Sequence, residues 1–296
     1  MAWQEHVSLG IAPIGWTNDD MPDLGGENTF EQCVSEMALA GFSGCEVGNK
    51  YPADRAELKK ALELRGLTVC NRWFSSFLLT KPWEEVALEL EAQLDFLCFL
   101  GAKVIGVSEQ SGSIQGKALP VFGEKPIMDE PQWALLCGGL NRLGALAVKK
   151  GMKLTFHHHM GTVVQTEEEI DRLMAGTEPT LVHLLFDSGH LSFAGIDPVR
   201  VLRKHVSRVA HVHLKDMREQ AAARVRAEKR SFLEAVRLGV FTVPGDGCVD
   251  FAPILRLLEE ADYRGWLVVE AEQDPAKANP LEYAYKAREY LRGLLQ

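Results

Sequence analysis

Short apolar runs and longer amphipathic stretches alternate along this chain from near its start to near its end. Residues 7–12 read as a first strand, and 29–40 as a helix that Gly41 ends. Residues 44–47 are a second strand. Residues 53–65 follow as a helix with apolar positions at Ala53, Leu58, Ala61, Leu62 and Leu64, closed by Gly66 before a third strand at 67–70. The next helix carries Pro82 in its first turn, Glu84 and Glu85 at its positive end, and one stripe of Val86, Leu90, Leu94 and Leu97. Gly101 stops it and 104–108 resumes as a strand; 131–150 is a long helix ended by Gly151. Strands at 154–159, 181–187, 209–213 and 266–270 then alternate with helices near 167–175, 197–205, 251–261 and 281–294. Strict alternation implies parallel strands joined by right-handed crossovers. Eight such units predict an α/β fold of the (β/α)8 TIM-barrel type, one domain over residues 1–296, with long excursions at 110–130 and 216–250.

An open doubly wound sheet holding a dinucleotide normally carries G-x-G-x-x-G after its first strand. Here that place reads Gly10-Ile11-Ala12-Pro13-Ile14-Gly15, so no nucleotide loop is expected. The 296 residues are 46% hydrophobic and 25% charged, enough for one large core. A net charge of −9 without a basic run argues against nucleic acid as a partner. Arg224, Arg226, Lys229 and Arg230 cluster, but they interleave with Ala and Glu as a solvated helix face does. None of the six Cys forms a C-x-x-C pair, which fits free, mostly buried thiols in a reducing compartment. The start of the chain lacks a basic segment followed by an apolar core, and no apolar run is long enough to span a bilayer. A cytoplasmic protein without a membrane partner is the expectation.

Four strand ends carry groups that bind metals: LTFHHH (154–159), LVHLLFD (181–187), VAHVH (209–213) and WLVVE (266–270). Side chains two apart on a strand share a face, so His157 pairs with His159, His211 with His213, and Glu270 with Glu272. A lone strand histidine is usually a hydrogen-bonded core or surface residue. Four strand ends that converge on one rim, all bearing imidazole or carboxylate, point instead to a shared divalent-metal site.

Seven segments carry a family resemblance: GIAPIGWTNDD (10–20), GFSGCEVGNKYP (41–52), FHHHMGTVVQT (156–166), FDSGHLSFAG (186–195), HVHLKD (211–216), GVFTVPGDG (239–247) and WLVVEAEQDP (266–275). Together they resemble the inosose dehydratases of the xylose-isomerase-like barrel superfamily, over about residues 7–290. The resemblance implies a (β/α)8 barrel, Mn2+ or Co2+, and dependence on glutathione. It implies a cyclic keto-polyol as small-molecule partner: loss of water from 2-keto-myo-inositol to a trihydroxycyclohexane-1,2-dione in inositol catabolism. A homo-oligomer is compatible with it, since barrels of the superfamily often form dimers or tetramers. The superfamily's metal set is Glu, Asp, His and Glu on strands 5 to 8. Asp187, His213 and Glu270 match the last three; His157 stands where the first Glu is usual, with His159 as the alternative.

Dehydration beside a ketone needs a base, an acid for the departing oxygen, and stabilisation of enolate charge. His190, three residues after Asp187, is expected beside the metal but not on it, in contact with substrate and transferring a proton. Lys215 shares the parity of His213 and is a candidate oxyanion stabiliser; Glu46 and Glu272 are further acid–base candidates. His158 points the other way, into packing. His159, Trp16 and Asp246 (in Gly245-Asp246-Gly247) are expected substrate contacts, with Trp73 and Phe74 as further ring walls. The competing expectation is a ketose or keto-polyol epimerase or isomerase of the same superfamily. Those enzymes usually keep the strand-5 Glu as an acid–base group, and its replacement by His157 counts against epimerisation.

Overall fold

The computed structural model describes residues 3–296; Met1 and Ala2, the first positions of the expected domain, lie outside them. Among the described residues eleven strands are present: β1 (Val7–Ile11), β2 (Gly44–Glu46), β3 (Thr68–Asn71), β4 (Trp73–Ser76), β5 (Val104–Glu109), β6 (Lys153–His157), β7 (Val182–Asp187), β8 (Val209–Leu214), β9 (Asp216–Met217), β10 (Phe241–Thr242) and β11 (Gly265–Val269). Nine of them form one sheet in the spatial order β3-β2-β1-β11-β8-β7-β6-β5-β4. All its pairings are parallel. β3 and β4 are consecutive halves of one extended segment broken at Arg72. The first half bonds to β2 and the second to β5, which closes the circle with eight barrel positions. The carbonyl of Arg72 accepts from the Gly106 amide at the break. The sequence reading ends this strand at residue 70, because Asn71-Arg72-Trp73 carries no apolar alternation.

The helices are α1 (Phe30–Leu39), α2 (Arg55–Glu63), α3 (Trp83–Phe99), α4 (Glu130–Lys149), α5 (Glu167–Gly176), α6 (Ser188–Phe193), α7 (Pro198–His205), α8 (Glu219–Glu228), α9 (Phe232–Arg237), α10 (Phe251–Glu260) and α11 (Pro280–Leu294). Thr29, Asp54, Asp129, Thr166, Asp197, Ser231 and Asp250 each accept an amide of the first helical turn, which explains where most of these helices start. Two expectations change here. The stretch 216–250 is not irregular: it holds β9, α8, α9 and β10, and β9 pairs antiparallel with β10. Met217, Val225, Phe232, Val236 and Phe241 make a second apolar core with Met21, Leu24, Val121, Met160 and Phe193. This cap leans on the loops around one side of the barrel mouth. The strand expected at 154–159 ends at His157, so His158 and His159 belong to the following loop. Among the described residues no helix is long and apolar enough to cross a membrane.

Trp266, at the start of β11, fills the opposite end of the barrel. A Cβ on Gly44 would lie 2.4 Å from its ring and one on Gly10 3.4 Å from it, so glycine lets β2 above all approach the indole. Gly44→Ala is therefore expected to lower stability by about 1–3 kcal/mol. Thermal denaturation checks this: an unchanged Tm would show that Trp266 moves aside at no cost.

Candidate active site at the barrel mouth

The C-terminal ends of the barrel strands open into a cavity of about 650 Å3. Its buried lining includes Glu46, Asn71, His157, His159, His213, Glu270 and Glu272; Asp20, Trp73, Gln115 and Lys117 line its more exposed part. Asp187 ends β7 and also caps α6: one carboxylate oxygen accepts the His190 amide at 2.8 Å. The other oxygen faces His157 Nε2 at 3.3 Å, Lys215 Nζ at 3.4 Å and His213 Nδ1 at 3.5 Å. Glu270, just past the end of β11, lies against His213 Nδ1 and 2.7 Å from Lys215 Nζ. Lys215 also donates to Glu272 at 2.9 Å and to His190 Nε2 at 3.0 Å. On the far side of His213, Nε2 lies 2.9 Å from Glu46.

These contacts set the charges. Burial alone would raise the Glu270 carboxyl, but His213 and Lys215 outweigh it and hold its pKa at about 2. Burial likewise opposes ionisation of Asp187, and the Lys215 ammonium overcomes it. For Glu272 burial prevails over the pull of Lys215, and its pKa rises to about 7. Burial disfavours the imidazolium of His213, yet Glu270 and Glu46 raise its pKa well above the usual value. Burial pushes His158 and His159 down to about 3 and keeps His190 neutral.

The donor set fits a divalent cation. Ligating atoms of His157, Asp187 and His213 lie within 4.8 Å of one another, as do those of Glu46, His213 and Glu270. His213 Nδ1 faces both Asp187 and Glu270, and His157 Nε2 faces the same Asp187 oxygen. Imidazole and carboxylate groups converging on one point are a ligand set for a divalent metal. His157, and not His159, joins Asp187 and His213. His159, His190 and Glu272 also converge, but the Lys215 ammonium already supplies the positive charge there.

A family model described as "Xylose isomerase-like TIM barrel" matches residues 34–294. An inosose dehydratase of Geobacillus thermodenitrificans is 63% identical over 290 residues, 98% of this chain and 97% of that protein. The inosose dehydratase of Clostridium tetani is 60% identical over the same shares of both chains. The chain belongs to the inosose dehydratase family. Among solved structures, an L-ribulose 3-epimerase superposes with a TM-score of 0.71 at 17% identity, covering 100% of this chain and 95% of that one. The IOLI protein, solved with a zinc atom, does so with a TM-score of 0.71 at 16% identity, covering 97% and 98%. At such identities they share the fold of this family member.

Several expected site residues lie elsewhere in this member of the family. Trp16 is 1% exposed and does not line the mouth. The 3-10 turn Pro13–Gly15 carries it outward, its indole donates to Glu36 and its carbonyl accepts from Asn28. Asp246 is held by Arg218, Thr242 and Lys286, so it secures the cap and does not face the cavity. His190 stands one layer behind the wall, its ring centroid 3.9 Å from that of His159 and its far side against Phe241. Its Nε2 accepts from Lys215, so direct substrate contact is not what the geometry provides. Lys215 has no exposure and stands behind Glu270 and Glu272. Phe74 is buried in the core. The sequence reading overlooks Asn71, Arg72, Asp19 and Gln110 on the cavity wall. The alternation Asn71-x-Trp73-x-Ser75 was the available signal, since strand parity puts all three on one face.

Gly189 makes the arrangement possible: a Cβ there would lie 2.3 Å from Lys215 Cγ and 2.7 Å from its Cβ. The near end of Lys215 cannot swing clear, so the ammonium would be displaced from Asp187 and Glu270. Gly189→Ala is expected to weaken metal binding about 10–100-fold, the range for disturbed outer-shell partners, with helix content retained. Equilibrium dialysis alongside circular dichroism reads both, and wild-type affinity would mean that the Lys215 position is irrelevant. His213→Ala should abolish stoichiometric metal; full occupancy by elemental analysis would place the site elsewhere.

Proposed function

We propose that this protein is a metal-dependent hydro-lyase that removes water from 2-keto-myo-inositol, with His157, Asp187, His213 and Glu270 as the metal ligands. The observation that carries this reading is the identity of about 60% with inosose dehydratases over nearly the whole chain. The convergent buried donor set supports it. Two carboxylates and two imidazoles, without sulfur, suit Mn2+ or Co2+. Such an ion, when bound, supplies Lewis-acid polarisation of the ketone and so acidifies the adjacent C–H.

The remaining work falls to cavity-facing residues. Glu272 lines the cavity, and one of its oxygens makes no hydrogen bond while the other is fixed by Lys215. We assign it the proton transfer: a single carboxyl takes the proton from the carbon beside the ketone and returns it to the hydroxyl departing from the next carbon, so that water is the net loss. His159 Nδ1 donates to the Met160 carbonyl, which leaves Nε2 as an acceptor for a substrate hydroxyl. Trp73, edge-on to His157 and His159 at 5.2 and 5.6 Å, walls the ring. The epimerase alternative needs an acid–base carboxylate at the position His157 holds, and no observation here favours it.

Metal-loaded protein incubated with 2-keto-myo-inositol, with and without glutathione, is expected to generate dione absorbance, and a ketohexose is not expected to turn over. Solvent deuterium entering unchanged ketose without loss of water would support the epimerase instead. Glu272→Gln should keep its metal and lose about 10²-fold or more in kcat. An unaltered kcat would move the proton transfer to another group. Chelation should lower Tm, and Mn2+ or Co2+ should restore it, with a stability gain of about 2.7 kcal/mol at a hundredfold excess over Kd. A Tm indifferent to both ions would mean that neither binds the folded state. A cytoplasmic location belongs to the same proposal.

A further inference from the structure

The geometry points to Glu46 as a positioning residue: its carboxylate fixes the tautomer of His213 so that Nδ1 is the nitrogen offered to the metal. This inference rests on the reading of Asp187, His213 and Glu270 as metal ligands. One oxygen of Glu46 receives His213 Nε2 at 2.9 Å, His211 Nε2 at 3.0 Å and Asn71 Nδ2 at 2.9 Å. A carboxylate oxygen only accepts, so both imidazoles must present Nε2–H to it. In the neutral ring that leaves Nδ1 with the lone pair. His213 Nδ1 is the atom that faces Asp187 and Glu270. Asn71 is itself held, since its side-chain oxygen accepts the Gly106 amide at 2.7 Å, and a Cβ on Gly106 would crowd it at 2.9 Å. The acceptor is therefore anchored to β5 through Asn71, and not free to follow a ligand. Carboxylate–imidazole–metal relays of this kind orient the ring and strengthen the nitrogen as a ligand.

The arrangement gives Glu46 a task separate from acid–base chemistry, although it lines the cavity. Two variants separate these roles. Gln at position 46 can still accept the imidazole N–H groups through its amide oxygen, and Leu cannot. Zinc, a diamagnetic probe, is titrated into each protein. Glu46→Gln is expected to bind zinc within about tenfold of wild type, and Glu46→Leu about 10–100-fold more weakly. If both bind zinc as wild type does while turnover of 2-keto-myo-inositol is lost in both, Glu46 is a catalytic group and the inference is overturned. Long-range 15N–1H spectra of zinc-loaded wild-type protein test the same point without any variant. His213 should show a proton on Nε2 and none on Nδ1, and a His213 ring carrying its proton on Nδ1 overturns the assignment even if Glu46→Leu fails to fold. Wild-type protein that binds no zinc would sink the metal-site reading itself, a result distinct from zinc bound with the reversed tautomer.

Discussion

Lys215 carries its ammonium into the interior with no exposure, and the barrel mouth is organised around that charge. Asp187, Glu270 and Glu272 all come within 3.4 Å of it, and it lies 5.1 Å from the face of Phe241. Three carboxylates this close and this buried would repel one another, and desolvation would favour their neutral forms. The ammonium keeps Asp187 and Glu270 ionised, as a metal site requires. Glu272 is the exception, held near neutrality by burial, and it is also the carboxyl with an uncommitted oxygen. One cation thus separates two carboxylates held ionised from one that burial pushes toward its neutral form.

The surroundings are shaped to keep that cation in place. Gly189, in the first turn of α6, leaves room for the Lys215 stem, while Asp187 uses one oxygen to start the same helix and the other to face the cluster. Asp216, the next residue after Lys215, accepts the amides of Met217, Gly245, Gly247 and Val249. That pins the Gly-Asp-Gly loop beneath the cap. The loop therefore contributes rigidity, and the cavity wall is formed instead by Trp73, Asn71 and Arg72 on the strand segment that closes the barrel. On the other side Glu46 and Asn71 steady His213, so the cluster is braced from both faces.

Much of this was legible in the chain. Strand-helix alternation and the placing of His157, Asp187, His213 and Glu270 at the ends of their strands follow from local spacing, because apolar runs, caps and strand parity are properties of neighbouring residues. The third barrel position was half missed, since β4 is an amphipathic segment whose pairing with β5 depends on a residue far away in sequence. Helix α9 was missed, and α8 was seen only as a solvated face, because their apolar faces are short and are completed by Met21, Val121 and Phe193 from other loops.

Sequence by itself determined the fold class, the rim at which the chemistry sits and the types of residue that gather there. Depth was decided only by tertiary structure. His190 and Lys215 have the right parity and the right neighbours, yet they stand behind the wall because the cap over residues 216–250 covers them with Phe232 and Phe241. Trp16 and Asp246 lie close in sequence to the rim but are drawn into Glu36 and Arg218. Asn71 looks unremarkable in the chain, but closure of the barrel turns it inward. Periodicity states which face of an element a side chain occupies; what packs over that face is set by residues distant along the chain, and this separates a residue that meets substrate from one that supports it.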